Sequence, residues 1–285
     1  MLTGRSGLVS PQWVAEHLDD HGLVLVEVDE EAATHHWSHI PGATFIDWQD
    51  CRKGLLGPAP AAIAAFERLM SLRGIRPDDD VVLYGDGQNR YAAAVLWLMR
   101  LHGHRSLRLM DGGRAAWTAL GLPMTEQESK RAPSAYVAGP GDPAVRATRD
   151  DLLSQLMAPT PEAVVVDCRT PQEFSGGSGG PAEEFGDLCA ERGHVPGAIN
   201  LPYSDLLAPD GTLLEVEQLE QALSARGLHV RQSITTYCHS ADRSSLVWFA
   251  LSEVLGYPSV RVYDGGWLEY GHLMGVPVTR PQDGD

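Results

Sequence analysis

The sequence predicts an α/β protein made of two similar domains in tandem, each a parallel β-sheet covered by helices on both faces. Two observations support this prediction. Short apolar runs rich in Val and Leu alternate with longer segments that carry helix start and stop signals, which is typical of parallel strands joined by crossover helices. The same order of elements also occurs twice along the 285 residues, a length that suits two domains of ordinary size.

The two halves of the chain also share residues at fixed spacing. Residues 81–118 match residues 234–271 at a constant offset of 153, because 234 − 81 = 153. A His-x-Pro-Gly-Ala motif lies upstream in both halves, at 39–43 and at 194–198. Because order and spacing persist over so long a stretch, we interpret the chain as a duplicated domain rather than a short-period repeat. The shared residues include Tyr84 and Tyr237, Arg90 and Arg243, and the Asp-Gly-Gly triplets at 111–113 and 264–266.

Each copy has the same succession of predicted elements. A helix begins after a capping residue, Ser10 or Thr148, and leads to a buried strand. A short strand follows the His-x-Pro-Gly-Ala motif, and the next helix ends at a glycine. Another buried strand, a turn, a long apolar helix and a last strand complete the copy before a final helix. The predicted main strands are 23–28, 81–84 and 107–110 in the first copy and 163–166, 234–237 and 260–263 in the second; the predicted helices between them are 63–73, 92–101, 216–226 and 244–255.

The segment between the two copies has the composition of a linker. Residues 126–146 are rich in Pro and Gly, which disfavour regular structure. We therefore place a first domain at 1–125, a linker at 126–146 and a second domain at 147–285. The second copy also contains a Gly-rich stretch, 176–192, that the first lacks, and we expect this stretch to form an inserted, mobile loop.

Composition and charge exclude several classes of function. Lys and Arg number 22 against 38 Asp and Glu, for a formal charge of −16. So acidic a surface repels nucleic-acid phosphates and anionic lipids, so we expect neither nucleic acid nor a membrane as a partner. No apolar run approaches the about 20 residues of a membrane span, and the N-terminus lacks a signal-peptide pattern. With four scattered cysteines and no Cys-x-x-Cys pair, we expect a cytoplasmic protein without a disulfide framework or a metal site.

The most informative pattern surrounds a cysteine in the second copy. Cys238 comes directly after a predicted strand and just before a predicted helix, where free N–H groups and the helix dipole favour an anion. The ordinary cysteine pKa of about 8.5 falls at such a position. We therefore predict that Cys238 is a reactive thiolate. Arg243, at the far end of the turn, is expected to close the loop or to hold an anionic substrate.

The first copy lacks this cysteine. It keeps the strand, the turn, Arg90 and the following helix, but has Gly85 where the second copy has Cys238. Folding of the scaffold therefore does not require a thiol at this position. We interpret the first domain as catalytically silent and the second as the catalytic domain.

These residues resemble the tandem-domain rhodaneses, the thiosulfate and 3-mercaptopyruvate sulfurtransferases. The resemblance extends from Leu8 to about Thr279 and implies two rhodanese-like domains with the nucleophile in the second. The loop of six residues from Cys238 to Arg243 resembles the length used for sulfur transfer, whereas the related dual-specificity phosphatases have one residue more. The motifs that carry the resemblance are Asp167-x-Arg169, the Gly-His-Val-Pro-Gly-Ala run at 193–198, Cys238-x4-Arg243-Ser244 and Asp264-Gly265-Gly266-Trp267.

The resemblance also implies a mechanism. The Cys238 thiolate would attack the outer sulfur of thiosulfate, expel sulfite and keep the sulfur as a persulfide, which cyanide, a small thiol or a thioredoxin-like protein then accepts. No cofactor and no metal are needed. Three alternatives remain open: 3-mercaptopyruvate as the donor, a persulfide carrier or binding module, and a cysteine-dependent phosphatase. The residues expected to form the active-site loop and bind substrate are His239, Ser240, Ala241, Asp242, Arg243 and Ser244.

Three of these loop residues depart from the common family pattern or bear on the choice of donor. Ala241 stands where many relatives have glycine, which tolerates positive φ better. His239 takes the place of the basic residue that often follows the cysteine in thiosulfate-selective relatives. Asp242 brings a negative charge into the loop, which opposes an anionic donor unless it faces outward.

Residues outside the loop are weaker candidates for substrate contact. They are Arg169, Arg192 and Trp267. For Arg169 the alternative is an ion pair with Asp167, and for Arg192 it is a solvated surface charge. Two further cysteines are Cys168 and Cys189. Either thiol is able to resolve a persulfide by forming a disulfide, but we interpret both as bystanders.

Overall fold

The computed structural model describes residues 7–54, 59–129, 131–177 and 189–280, and every element of the fold named below lies within those ranges. They form two compact units: the first ends at Pro143, the second begins at Ala144, and the short segment 208–213 is grouped with the first. Within the described ranges, no helix is long and apolar enough to cross a lipid bilayer.

The first unit is built on a five-stranded sheet in which every strand pair is parallel. The strand order across the sheet is β1-β5-β4-β2-β3. The strands are β1 (Leu8–Val9), β2 (Leu23–Asp29), β3 (Thr44–Asp47), β4 (Asp80–Tyr84) and β5 (Leu107–Met110). The helices are α1 (Pro11–His17), α2 (Ala32–Trp37), α3 (Trp48–Gly54), α4 (Ala59–Leu72), α5 (Arg90–Leu101) and α6 (Gly113–Ala119).

The second unit repeats this plan. Its five-stranded parallel sheet has the order β6-β10-β9-β7-β8, which is the order of the first sheet with each strand replaced by its counterpart. The strands are β6 (Arg146–Ala147), β7 (Ala163–Asp167), β8 (Ile199–Asn200), β9 (Ser233–Tyr237) and β10 (Val260–Tyr263). The helices are α7 (Arg149–Met157), α8 (Pro171–Ser175), α9 (Val216–Ser224), α10 (Asp242–Phe249), which a π-helical turn (Ala250–Val254) continues, and α11 (Gly266–Tyr270).

The local signals in the sequence have identifiable counterparts in the structure. The Ser10 hydroxyl accepts a hydrogen bond from the Trp13 amide at 3.1 Å, which caps α1. Thr148 forms a reciprocal capping box with Asp151 at the start of α7, and this arrangement satisfies amides that a helix end leaves without partners. The predicted fold class, two α/β domains that each have a parallel sheet flanked by helices, is confirmed.

The two cores are built alike around an equivalent tyrosine. Tyr84 in the first unit and Tyr237 in the second end the central strands β4 and β9 and are fully buried. Their hydroxyl groups accept hydrogen bonds from the amides of Ile40 (3.2 Å) and Val195 (3.1 Å), in the two His-x-Pro-Gly-Ala motifs. The tyrosines thereby fix each motif against its sheet.

The expected linker belongs largely to the first unit. The amide of Ser134 donates to the Ser71 carbonyl (2.9 Å), that of Gly139 to the His102 carbonyl (3.0 Å), and that of Asp142 to Leu101 (3.0 Å). The division of the chain into compact units falls after Pro143. The described residues between 126 and 142 form no helix or strand, and these hydrogen bonds hold them to their own unit.

The inserted loop that we expected at 176–192 lies partly outside the described residues, which omit 178–188. On its N-terminal side, α8 ends at Gly176 in a left-handed conformation. On its C-terminal side, the Glu191 amide donates to the Gly271 carbonyl at 2.9 Å.

Candidate active site

Cys238 lies at the carboxyl end of the central strand β9, in a short turn that leads into α10. Ligands and reactive groups in open parallel sheets gather at this edge. The carbonyl groups of Cys238 and His239 accept hydrogen bonds from the amides of Trp267 (2.8 Å) and Leu268 (3.0 Å) in the first turn of α11. Since a trans peptide places its N–H opposite its C=O, the N–H groups of His239 and Ser240 point away from α11.

The turn contains a residue in the left-handed region. Ala241 has φ 74° and ψ −19°, a conformation that costs a non-glycine residue about 1–2 kcal/mol. The matching turn of the first unit uses the same region at Gln88 (φ 61°) and Asn89 (φ 62°). Among the described residues, all non-glycine residues with positive φ lie in these two turns. Ala241 therefore adopts the conformation for which many relatives have glycine, and the surrounding contacts must hold it there.

The Cys238 thiol is buried among polar groups. Its Sγ lies 3.6 Å from Oδ1 of Asp242 and accepts a hydrogen bond from the Ser244 hydroxyl at 3.5 Å. The same Asp242 oxygen accepts a hydrogen bond from the Ser240 hydroxyl at 3.3 Å. Asp242 is itself buried, so its charge faces the nucleophile rather than solvent.

These surroundings reverse our expectation for the pKa of Cys238. Burial raises this pKa above its ordinary value, and the Asp242 carboxylate raises it further, whereas Arg243 and Ser244 oppose both effects. The expectation of a lowered pKa considered only the strand-to-helix junction. It was wrong because it did not include full burial or an aspartate that points inward.

Arg243 is engaged in a buried ion pair with Glu173. Its Nη1 and Nη2 atoms donate to the two Glu173 carboxylate oxygens at 2.7 and 3.0 Å. Burial raises the pKa of Glu173, but the hydrogen bonds and charge of Arg243, with the Thr170 amide, outweigh burial and lower this pKa to about 2. The guanidinium therefore ties α10 to α8 in this structure, and its two terminal nitrogens donate to protein oxygens.

Glu173 was not among the residues singled out from the sequence, although a local signal marks it. Thr170-Pro171-x-Glu173 is a capping box: the Glu173 amide donates to the Thr170 hydroxyl, and the Thr170 amide donates to the Glu173 carboxylate. The capping box fixes the position of the carboxylate independently of Arg243. The signal identifies a helix start, but it does not name the arginine that will pair with the glutamate.

Arg169 forms the ion pair that we had considered as its alternative role. Its Nη2 donates to Asp167 Oδ2 (2.6 Å) and to the Gly193 carbonyl (2.7 Å), and its guanidinium carbon lies 4.4 Å from the centre of a Trp267 ring. Tyr237 donates its hydroxyl to the same Asp167 carboxylate. These side chains are all buried, and they pack next to the active-site turn.

The first unit has a related cluster with a different arginine. Tyr84 donates to Glu27 at 2.9 Å, as Tyr237 does to Asp167. The ion pair with Glu27 comes from Arg114, which occupies the position of Trp267, because 267 − 153 = 114. Both copies therefore contain a buried carboxylate, a tyrosine and an arginine, but the two arginines do not occupy equivalent positions in the sequence.

The remaining predicted site residues lie in different surroundings. His239 is buried within the loop. Trp267 is also buried and donates its Nε1–H to the Glu191 carbonyl at 3.1 Å, so that it packs in the core beneath the loop. Arg192 is exposed. Among the described residues, no group of three or more His, Cys, Asp or Glu side chains is arranged to hold a metal ion.

Comparison with known proteins identifies the family to which the chain belongs. A family model described as "Rhodanese-like domain" matches residues 10–120 and again 148–272. The chain therefore belongs to the rhodanese family, with two such domains in tandem, and the resemblance found in the sequence is confirmed. Membership of this family supports sulfur transfer as the chemistry of the site.

Two similar proteins carry names that differ in an informative way. A protein of Saccharopolyspora erythraea named "Putative thiosulfate sulfurtransferase" is 38% identical over 276 residues, with 97% of each chain covered. A protein of Thermus thermophilus named "Sulfur carrier protein TtuD" is also 38% identical, over 280 residues and 97% of each chain. Both names concern sulfur, one as an enzyme that transfers it and one as a protein that carries it.

Solved structures match in fold. The wild-type structure of EanB aligns with a TM-score of 0.80 at 23% identity, covering 96% of this chain and 69% of that one. The crystal structure of YnjE aligns with a TM-score of 0.76 at 24% identity, covering 97% and 69% of the two chains. At this identity the likeness describes the fold alone.

The corresponding loop of the first unit has no space for a side chain at Gly85. A Cβ atom built on Gly85 would lie 2.1 Å from the carbonyl oxygen of Val28 in the neighbouring strand. The Gly85 amide donates to the Asn89 side chain at 3.0 Å, and its carbonyl accepts from the Arg114 amide at 3.1 Å. Any side chain at this position would therefore require the two strand ends to move apart.

We predict that Gly85→Cys will not create a second active site and will lower the stability of the first unit, because backbone atoms must shift to admit the Cβ. The double variant Gly85→Cys/Cys238→Ser should bind much less than one sulfane sulfur per chain after exposure to thiosulfate. Cys238→Ser alone is the control. Uptake near one per chain in the double variant would show that the first loop is already organised for sulfur.

We predict that Glu173→Gln will lower the free energy of unfolding by about 3 kcal/mol at pH 7, because it leaves Arg243 buried without its charged partner. The folded pKa of Glu173 lies below its ordinary value of 4.5, so its contribution is fully present above that pH and is lost as pH falls toward about 2. The difference between variant and wild type in urea unfolding should therefore shrink as pH falls from about 4.5 to about 2. Asp150→Asn, which alters an exposed pair, should change stability little at any pH; equal effects of the two changes would contradict the assignment.

Proposed function

We propose that this protein moves sulfane sulfur from thiosulfate to a thiophilic acceptor, such as cyanide or a thiol, through a persulfide on Cys238. The observation that carries the proposal is the position of Cys238, the first residue after β9 in a rhodanese-like domain. It opens the six-residue loop Cys238–Arg243, whose last two residues begin α10. A similar protein, of which 97% is covered, is named "Putative thiosulfate sulfurtransferase".

The proposed reaction has two half-reactions. In the first, the Cys238 thiolate attacks the outer sulfur of thiosulfate, the sulfur–sulfur bond breaks, and its electron pair leaves with sulfite. In the second, the acceptor attacks the outer sulfur of the persulfide, and the Cys238 thiolate leaves and is ready for another cycle. Backbone N–H groups of the loop would stabilise negative charge on the transferred sulfur.

Electrostatics near the thiol argue against rapid use of a small dianion. Asp242 Oδ1 lies 3.6 Å from Sγ, and the guanidinium of Arg243 is neutralised by Glu173. The whole chain carries a charge of −16 as well. Thiosulfate therefore approaches through an unfavourable field, and 3-mercaptopyruvate, a monoanion, experiences about half of that repulsion.

A persulfide carrier is the second candidate function. The side chain of Cys238 is fully buried, and a similar protein of the same length is named as a sulfur carrier. In this function Cys238 receives sulfur from a protein donor whose docking opens the loop. Turnover with a protein donor, and none with thiosulfate or 3-mercaptopyruvate, would favour it, whereas release of phosphate from an aryl phosphate would instead support a phosphatase.

We predict that Cys238→Ser will abolish sulfur transfer while leaving the fold intact, because a hydroxyl is a far weaker nucleophile toward sulfur. Wild-type protein treated with thiosulfate should release sulfite and gain about 32 Da, the mass of one sulfur atom. The serine variant should show neither change and should unfold at an unchanged urea concentration. Residual transfer above a trace would assign the nucleophile elsewhere.

We predict that Asp242→Asn will raise kcat/KM for thiosulfate by a few-fold to tenfold, since one screened charge contact contributes about 1 kcal/mol. The change should be larger for thiosulfate than for 3-mercaptopyruvate. Removing the carboxylate should also lower the pKa of Cys238, so the rise of activity with pH should move to lower pH. Asp150→Asn changes the net charge equally at an exposed site and should leave both donors unaffected. Equal changes for the two donors would exclude Asp242 as a determinant of donor choice.

A further inference from the structure

Cys168 lies directly beside the nucleophile in the central sheet. Strands β7 and β9 are parallel neighbours in which Asp167 is the partner of Tyr237, and the Cys168 amide continues this ladder by donating to the Tyr237 carbonyl at 2.8 Å. Cys168 and Cys238 are therefore the next pair in register. Neighbouring strands lie about 4.8 Å apart, which is within the Cα separations that a disulfide spans, roughly 4.4–6.8 Å.

The side chains of this pair share one face of the sheet. Residues in register on parallel strands point the same way, and the Thr236 side chain, two positions before Cys238, contacts the Ser244 carbonyl in α10. Both thiols are fully buried. Burial raises the pKa of Cys168 well above its ordinary value, and the charge of Cys238 raises it further. This second effect agrees with the short distance between the two residues.

Other cysteines in the chain have different neighbours. Cys189 donates its thiol to the Trp267 carbonyl at 3.5 Å, and Cys51 is buried in the first unit. In the silent copy the two positions in register with Cys168 and Cys238 are Val28 and Gly85, because Glu27 is the partner of Tyr84 in the first sheet. The fold is thus built without a thiol at either position, and the catalytic copy has one at both.

We propose that Cys168 is a resolving cysteine that closes a disulfide with Cys238 and releases the bound sulfur as hydrogen sulfide. This inference rests on the proposed persulfide. The Cys168 sulfur attacks Sγ of Cys238, the bond between that Sγ and the outer sulfur breaks, and the outer sulfur leaves with the electron pair. It takes the proton of the Cys168 thiol and departs as hydrosulfide, HS⁻, which equilibrates with hydrogen sulfide in water.

The oxidation states balance within the protein. The sulfane sulfur is reduced to sulfide, and the two cysteine thiols are oxidised to a disulfide that an external thiol later reduces. Because the Cys168 thiol stays protonated at neutral pH, its attack is slower than that of an abundant acceptor thiol. The disulfide therefore forms when acceptor is scarce, and it protects the nucleophile from further oxidation.

The test uses the reduced full-length protein, freed of reductant and treated with thiosulfate without an acceptor. We expect wild type to gain about 32 Da and then to convert to a species about 2 Da lighter than the starting chain, with about one sulfide released per chain. Cys168→Val, which introduces the residue that the silent copy has at this register position, and Cys168→Ser should keep the added 32 Da and release no sulfide. Cys189→Ser is the matched control and should behave as wild type.

The outcomes separate this inference from the function on which it rests. If neither wild type nor any variant gains sulfur or releases sulfite, the persulfide itself is excluded. If wild type and both Cys168 variants gain sulfur and keep or lose it equally, only the resolving role is overturned. Oxidation of sulfur-free wild type with diamide gives an independent reading: a peptide pair linking residues 168 and 238 supports the geometry, and linkage of Cys238 to Cys189 instead would contradict it.

Discussion

The active-site turn depends on backbone hydrogen bonds between its carbonyl groups and the first turn of α11. The amides of Trp267 and Leu268 hold the carbonyls of Cys238 and His239, and this contact is possible only because Gly266 has no side chain. A Cβ there would lie 2.5 Å from the His239 carbonyl oxygen, and Gly266 also has φ +56°. The second glycine of the Asp-Gly-Gly triplet, which the two halves share, is thus a structural requirement of the turn.

The first unit retains one of these backbone contacts. The Arg114 amide holds the Gly85 carbonyl, and Gly113 has the same positive φ of 56°. This contact therefore serves the fold in a unit that has glycine where the second unit has Cys238. The second unit differs in what surrounds the contact: a buried thiol, an inward aspartate and two buried ion pairs, Arg243 with Glu173 and Arg169 with Asp167.

The sequence was sufficient for the parts of the structure that follow from local order. Duplication, alternating elements and caps at Ser10 and Thr148 predicted the fold class, and the strand-to-helix junction singled out Cys238 as the candidate nucleophile. Contacts between residues far apart in the sequence could not be predicted in this way. Glu173 pairs with Arg243 across 70 residues, and no pattern near either residue specifies the other. The direction in which Asp242 points is set by three-dimensional packing, which is why the expected pKa of Cys238 had the wrong sign.

The close approach of Gly85 to the Val28 carbonyl also bears on how a duplicated gene diverges. A Cβ added at Gly85 would lie 2.1 Å from that carbonyl oxygen, so a single substitution to cysteine meets backbone rather than an empty site. Any route by which this copy acquires a thiol there must first pass through changes that separate the two strand ends. Backbone geometry therefore constrains the order in which substitutions are able to accumulate in one half of the chain.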